Sequence, residues 1–202
     1  AVDDGRNYIL TTKNRYDMIS TGIIHPLVSS GSSSIYSKDF YELCKRILTE
    51  DGIMCQWVPL HRLPEEYYKM IIRTFIEVFP HTTLWYKCTP DFSILIGAPE
   101  RLRINFSDLI ARAQIPSIRE GLAHDDLDGI SLLDSFMMSE ETVGKYVGEG
   151  PVHTDDRPRL EFFGAIPPDT TSQNIRSMVK FRESVKPFLI NISLILKGGL
   201  FL

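Results

Sequence analysis

The chain has 202 residues, of which 43% are hydrophobic and 24% are charged, so it can form a globular domain with a substantial core. Its formal net charge of -4 at pH 7 excludes a general attraction for nucleic acid, which is therefore not an expected partner. The 3 cysteines form no C-x-x-C pair, which excludes a disulfide scaffold and favours the reduced thiols of a cytoplasmic protein.

The first elements predict a short helix and then a buried strand. A polar turn-and-cap cluster at 3–7 precedes an expected helix over 6–12. The apolar run at Tyr16–Ser20 is followed by Gly22 and Pro26, as expected for a strand that enters a loop at its carboxyl end. Because ligands of open α/β sheets bind at that edge, this loop is the first place to look for a site.

Strands and helices then alternate through the first half of the chain. A small, Ser-rich stretch at 29–34 is predicted as a linker. Helices are expected to start near Ser37 and Leu63 and to stop before Asp51 and Pro80, and strands are expected over Ile53–Val58, Thr82–Tyr86 and Phe92–Gly97. The alternation predicts an α/β domain with a mainly parallel sheet. The last two strands are too close for a crossover and should be antiparallel.

The second half is expected to be mostly helical. Short helices are predicted over Asn105–Ala113, 115–123, Ser139–Val147 and 176–185, with a last strand or extended edge at Pro158–Gly164 and a polar linker at 167–175. The apolar run at 187–196 is too short to span a membrane, for which about 20 residues are needed. A helix or strand packed on the core or on a partner is favoured there over a truncated membrane segment.

Other polar clusters are weak candidates for a metal site, and no metal is expected. His153, Asp155 and Asp156 lie in a Pro-rich turn, where adjacent aspartates more often cap or form ion pairs. The aspartates between 125 and 128 lack the glycine and distant glutamate of a calcium loop. Three further histidines, His61, His81 and His124, show no shared spacing and are expected at the surface or at element ends.

Several segments carry a family resemblance through their order and spacing. They are Asp3–Tyr8, Tyr16–Ile19, Ile35–Tyr41, Asp51–Ile53 and Val78–His81. Together they resemble the spermidine/spermine synthase family of polyamine aminopropyltransferases. The resemblance is closest to bacterial, often membrane-fused, spermidine-synthase-like proteins, whose domain ends in a stretch similar to Thr154–Phe162. It covers residues 1 to about 164.

The resemblance implies a seven-stranded, Rossmann-like sheet of nucleosyl-sulfonium (S-adenosylmethionine) transferases. The family's glycine-rich loop and its ribose-binding acidic residue have no counterpart here, so the amino-terminal strands of that sheet are expected to be missing. We therefore expect the carboxyl-terminal half of the domain at 1–99, a helical extension with a closing strand at 100–164, and a linker with an apolar segment at 165–202. An open sheet edge is also expected, to be covered by a second copy, a partner chain or a missing segment.

The resemblance implies that Asp4 and Gly5 bind the donor. Asp4 matches the family's acidic residue that accepts a hydrogen bond from the adenine amino group, and Gly5 would let the ring approach the backbone. The donor would be decarboxylated S-adenosylmethionine or S-adenosylmethionine itself. From the residues alone, Asp4 is also a good N-cap for the helix over 6–12, and both roles stay open.

The residues at the family's catalytic positions differ. Aminopropyl transfer needs a carboxylate to accept a proton from the amine, and further carboxylates to hold a polycationic acceptor. The family's Asp-x-x-Asp-Pro motif places its two acids at Gly22 and His25. Gly22 has no side chain, whereas His25 could take up a proton near neutral pH but cannot pair with a diamine as a carboxylate does. The acceptor loop is also expected to be shortened to 88–91.

Three functions follow from this sequence. The first is a transferase domain that binds a nucleosyl-sulfonium donor and transfers an aminopropyl group to a polyamine or another small acceptor. The second is a degenerate, non-catalytic interaction or scaffold module. The third is an S-adenosylmethionine-dependent methyltransferase, which needs no fixed acidic pair. Membrane association would come through a fused segment.

Overall fold

The structure is a computed structural model that describes residues 4–22, 24–27, 31–86, 90–101, 105–162 and 168–185. The helices are α1 (Gly5–Thr11), α2 (Lys38–Ile47), α3 (Glu65–Val78), α4 (Phe106–Ala113), α5 (Pro116–His124), α6 (Gly129–Asp134), α7 (Glu140–Val147) and α8 (Thr171–Val179), with a 3₁₀-helix at Ser32–Tyr36. The strands are β1 (Tyr16–Thr21), β2 (Leu48–Pro59), β3 (His81–Tyr86), β4 (Phe92–Ala98) and β5 (Phe136–Met138).

The five strands form one sheet in the order β1-β2-β4-β3-β5, which confirms the α/β class. The predicted antiparallel pairing of β3 with β4 is also confirmed. Parallel pairing is less extensive than expected, because β4 lies between β2 and β3 and runs against both. The short link after β3 forces the chain to turn back. As a result β1, β2 and β3 share one direction, but among the described strands only β1 and β2 form a parallel pair.

Helices α2 and α3 form as the sequence predicts and cover the sheet. The Ser37 side chain accepts a hydrogen bond from the Phe40 backbone N–H at 3.2 Å and so caps the start of α2. The inward faces of the two helices bury Tyr41, Cys44 and Phe75. Full burial of a large apolar side chain contributes about 1.5–3 kcal/mol, so this face is a main source of stability. Burial also raises the pKa of the Cys44 thiol to about 12, which keeps it protonated.

The second half agrees in part with the sequence prediction. The helices expected over 105–113, 115–123 and 139–147 are present as α4, α5 and α7. Helix α6 and the three-residue strand β5 were not predicted, because such short elements give no periodic signal. The strand expected from Pro158 is wrong over its described residues, since Glu161 N–H donates to the Pro158 carbonyl at 2.9 Å in a turn.

The carboxyl-terminal helix begins earlier than predicted. A linker was expected at 167–175, but α8 starts at Thr171 and packs on the core through Met178, which is fully buried. The linker prediction was wrong because it rested on the polar composition of 171–175. Asn174 is polar but fully buried. The predicted boundary at 164/165 and the apolar run at 187–196 lie outside the described residues. No described helix has both the length and the apolar character needed to cross a bilayer.

Strand β1 forms one margin of the sheet. It pairs with β2 on one side, and no other described strand pairs with it. Its residues are exposed or half-buried, and Met18 keeps 60% of its surface in contact with solvent. An edge of this kind offers backbone hydrogen-bonding groups to another strand. A covering partner at this edge stays a prediction.

Candidate functional site

The carboxyl ends of the parallel strands β1 and β2 meet at one edge of the sheet. Thr21 lies opposite Gln56 in the last position of their register. The chain leaves β1 at Gly22 and leaves β2 at Pro59. We call the residues around this edge, Gly22, His25, Tyr36, Gln56 and His61, the strand-end rim.

Gly22 has no room for a side chain. Its φ of +102° lies in the region that favours glycine. A Cβ built on Gly22 would overlap Gln56 Nε2 and would lie 2.5 Å from the Trp57 carbonyl oxygen, which belongs to the backbone of β2. The position that resembles the family's first catalytic acid therefore cannot carry a carboxylate in this backbone conformation.

Gln56 fills the space beside Gly22 with a neutral amide. Its side chain is fully buried, and Nε2 donates to the Trp57 carbonyl at 3.0 Å. Its Oε1 atom is buried and has no hydrogen-bond partner among the described residues. A buried acceptor without a partner is uncommon, so this oxygen marks a polar point on an otherwise packed rim.

Tyr36 fixes the loop that follows β1. Its hydroxyl lies 2.6 Å from the Ile24 carbonyl and 2.9 Å from the Gly22 carbonyl, and its single proton can be donated to one of them at a time. The side chain is fully buried, and burial raises the pKa of the phenol far above its usual value. The loop is thus held against the sheet by a neutral hydroxyl.

His25 is buried and both of its ring nitrogens have partners. Leu27 N–H donates to Nδ1 at 3.1 Å, and Nε2 lies 2.9 Å from the His61 carbonyl oxygen. Since Nδ1 accepts, the hydrogen-bond network assigns the proton to Nε2, and the ring is neutral. Burial lowers the pKa of His25. This arrangement argues against His25 as the acceptor of a proton from a substrate amine.

His61 joins the rim through its ring as well as its backbone. Its ring centroid lies 5.1 Å from that of His25 and 5.6 Å from that of Phe92, which it meets edge-on. Its Nδ1 atom is buried and has no hydrogen-bond partner among the described residues. The residue lies at an element end, as predicted, but nothing in the sequence indicated that its ring would contact His25. The one indication in the sequence that His61 could belong to the rim was its position just after β2.

Asp4 caps helix α1. Its Oδ1 accepts hydrogen bonds from Arg6 N–H at 3.0 Å and from Asn7 N–H at 3.1 Å, so the capping role considered from the sequence is present. The residue is exposed, and a Cβ on the neighbouring Gly5 would have no atom within 4 Å. A carboxylate has acceptor positions for more than two hydrogen bonds, so capping and ligand binding are compatible.

The start of α1 is linked to the rim loop by a short series of contacts. Arg6 donates to the Ser34 carbonyl at 2.9 Å and pairs with Asp155. Ser34 belongs to the 3₁₀-helix that ends at Tyr36, and Tyr36 holds the Gly22 loop. Asp4 is therefore tied to the rim through two short segments, although the two lie on separate elements.

The remaining sequence candidates have structural roles. His153 is buried, its ring contacts the Ser33 carbonyl, and its backbone N–H donates to Thr74. Asp155 pairs with Arg6, and Asp128 forms a capping box with Ser131 at the start of α6. Within the described ranges, no three His, Cys, Asp or Glu side chains converge as metal ligands. The loop expected at 88–91 is described only from Pro90 onward.

Comparison with known proteins gives matches to one family. Residues 1–96 match the spermine/spermidine synthase domain. A polyamine aminopropyltransferase of Saccharolobus solfataricus is 32% identical over 96 residues, which cover 48% of this chain and 32% of the relative. That of Aeropyrum pernix is 26% identical over 98 residues, covering 48% and 31% of the two chains. This chain thus spans about a third of the length of these relatives.

A solved structure matches over a longer part of the chain. A probable spermidine synthase from Corynebacterium glutamicum superposes with a TM-score of 0.54 at 18% identity, covering 77% of this chain and 53% of that one. At this identity the likeness shows the fold alone. It agrees with the Rossmann-like sheet that the sequence predicts.

Proposed function

Residues 1–96 match the spermine/spermidine synthase domain, and on the basis of this match we propose that the chain is part of a transferase domain that binds a nucleosyl-sulfonium donor. The observation that carries the proposal is the exposed Asp4 carboxylate at the start of α1, beside an uncrowded Gly5. The carboxylate can accept a hydrogen bond from an adenine amino group, and the missing Cβ leaves space for a flat ring. Decarboxylated S-adenosylmethionine is the donor that fits the family.

Aminopropyl transfer needs a base and carboxylates for the acceptor, which the strand-end rim does not supply. The acceptor nitrogen attacks the carbon next to the sulfonium sulfur, the carbon–sulfur bond breaks towards sulfur, and a base takes one proton from nitrogen. Gly22 offers no base, and His25 is neutral with both nitrogens bonded. Each charge-assisted hydrogen bond contributes about 1.5–3 kcal/mol. Without two of them, a polycation should bind about two to four orders of magnitude more weakly.

A non-catalytic module is the second candidate, and the filled rim favours it. The fully buried Gln56 amide and the Trp57 carbonyl occupy the space that a side chain at Gly22 would need. Methyl transfer is the third candidate, since it does not depend on an acidic pair at Gly22 and His25. Its donor would be S-adenosylmethionine with the carboxylate retained.

Donor binding can be tested by calorimetry on the full-length gene product, with methylthioadenosine as the probe. Asp4→Asn keeps an N-cap acceptor but removes the charge, so stability should change little while affinity falls about tenfold. Asp128→Asn is the matched control, because Asp128 caps α6 in the same way. Absence of binding by the wild-type protein would remove the proposal. Equal affinity in wild type and Asp4→Asn would remove the role of Asp4.

An activity assay separates the three candidates. The filled rim predicts no putrescine-dependent release of methylthioadenosine from decarboxylated S-adenosylmethionine. Turnover that disappears in Asp4→Ala would overturn the non-catalytic reading and establish an aminopropyltransferase. Tighter binding of S-adenosylmethionine than of its decarboxylated form would favour methyl transfer.

A further inference from the structure

Helix α8 lies outside the family-matched residues but contacts the chain that leaves β2. The contact is made by two buried polar residues, Thr170 at the start of the helix and Asn174 one turn later, with 8% and 0% of their surfaces exposed. They face residues 60–63, the turn between β2 and α3. Buried polar side chains are expensive unless they are hydrogen-bonded, so these two sites have a specific partner.

The partner is the backbone of the 60–63 turn. The Asn174 amide donates to the carbonyls of Leu60 and Leu63 at 2.8 Å each. The Thr170 hydroxyl accepts from Leu63 N–H at 2.9 Å, and its proton points to one of the same two carbonyls, at 3.0 and 2.8 Å. Two side chains thus hold both ends of one short turn.

The turn needs support because it contains a residue in an unfavourable conformation. Arg62 has a φ of +53°, in the left-handed region that residues other than glycine rarely adopt. Leu60 and Leu63 are fully buried on either side of it. Leu60 N–H also donates to the Asp91 carbonyl at 2.8 Å. Such a conformation persists only where surrounding contacts determine it.

The same turn supplies the atom that holds His25. In the chain, His61 lies between Leu60 and Leu63, whose carbonyls are bound by α8. The His61 carbonyl oxygen lies 2.9 Å from His25 Nε2. Rotation of either neighbouring peptide would move this carbonyl away from the imidazole. The link from α8 to the strand-end rim therefore runs through a single peptide segment of four residues.

We propose that Thr170 and Asn174 are positioning residues for the strand-end rim: they hold the 60–63 turn so that the His61 carbonyl keeps His25 and its loop in place. Calling the rim part of a binding site rests on the proposed function, but the mechanical link does not. Helix α8 is then a component of the site rather than an appended segment. It acts through the turn and touches no reacting group.

The test compares variants at Thr170 and Asn174, which together we call the clamp, with a control on the same helix. Thr170→Val keeps the shape of the side chain but removes the hydroxyl, and Asn174→Ala removes the amide. Ser177→Ala is the control, because Ser177 donates to Glu65 on α3 at 2.6 Å and does not touch the turn. All three are made in the full-length gene product, and urea denaturation measures their stability.

The decisive readout is NMR of the His25 ring, assigned with a His25→Gln variant. In the wild type the Nε2–H tautomer should dominate, with a pKa below the usual 6.5, as burial and the nearby His61 and Arg62 require. In Thr170→Val and Asn174→Ala we expect the population of the Nε2–H tautomer to fall, because the His61 carbonyl that accepts from Nε2 moves away, and we expect Leu27 and Leu63 amide exchange to accelerate at least tenfold. Ser177→Ala should leave all three unchanged.

The outcome that overturns the inference is a fall in stability with the His25 tautomer and Leu27 exchange unchanged. If Asn174→Ala does not fold, Thr170→Val decides the matter alone, because loss of the hydroxyl that accepts from Leu63 N–H should by itself free that end of the turn. None of these readouts uses a ligand. A protein that fails to bind methylthioadenosine can therefore still confirm or overturn the clamp.

Discussion

Gly5 and Gly22 are at the positions that the family resemblance assigns to donor binding and to the first catalytic acid, and their surroundings differ. A Cβ on Gly5 would meet no atom within 4 Å, at the exposed start of α1. A Cβ on Gly22 would overlap the Gln56 amide and press against the Trp57 carbonyl. The proposed donor side is open towards solvent, whereas the proposed acceptor side is packed with the protein's own atoms. The missing side chain of Gly5 thus leaves open space, whereas that of Gly22 makes room for Gln56 and the Trp57 carbonyl.

The same substitution at both glycines gives the largest predicted contrast. Gly22→Ala combines a strained φ with an overlap that backbone atoms cannot relieve, so the free energy of unfolding should fall by about 2–5 kcal/mol. Gly5→Ala should change it by less than about 1 kcal/mol, and in the stabilising direction, because Gly5 is helical and uncrowded. Urea denaturation measures both. Similar effects at the two positions would contradict the difference in packing.

Removal of the Tyr36 hydroxyl should produce the next largest effect. Tyr36→Phe leaves the carbonyls of Gly22 and Ile24 without their buried donor, and the protein should lose about 1–3 kcal/mol. Tyr86→Phe is the control, because its hydroxyl lies 3.4 Å from the Pro90 carbonyl at an exposed site. A loss in Tyr36→Phe no larger than in the control would show that the rim loop is held by other contacts.

Acidification should weaken the rim by a smaller amount. The pKa of His25 is lowered in the folded protein by burial, so the unfolded chain binds the proton more tightly. The stability contributed by neutral His25 is complete above about pH 7.5 and declines as the pH falls, by up to about 1.4 kcal/mol at pH 5.5. Denaturation series at both pH values measure this change.

His153 must be separated from His25 in that experiment, because burial lowers its pKa too. A His25→Gln variant should lose the His25 share of the pH dependence and keep the share of His153. An unchanged pH dependence in the variant would mean that His25 can be protonated without cost and is available for proton transfer.

Local features of the fold were predictable from the sequence, since their causes lie within a few residues. Ser37 caps α2, apolar residues recur along one face of α2 and α3, and the link before β4 is too short for a crossover. These patterns depend on backbone hydrogen bonding and on periodicity. Strand β5 was missed because three apolar residues do not establish a period.

The packing of the site was not predictable, because it depends on contacts between distant residues. The sequence showed that Gly22 lacks a carboxylate, but not that Gln56 from β2 takes its place. Asn174 was assigned to a polar linker, and its carbonyl partners lie 111 and 114 positions away. The resemblance indicated where a site would lie. The three-dimensional contacts determine which side of it is occupied.

Calorimetry with two ligands in sequence tests the central claim most directly. The full-length gene product is first titrated with methylthioadenosine and then, once saturated, with putrescine. An open donor side and a filled acceptor side predict binding in the first titration and no measurable heat of putrescine binding in the second. Saturable putrescine binding to the complex would contradict the account, since the amine would need negatively charged groups that the rim does not supply.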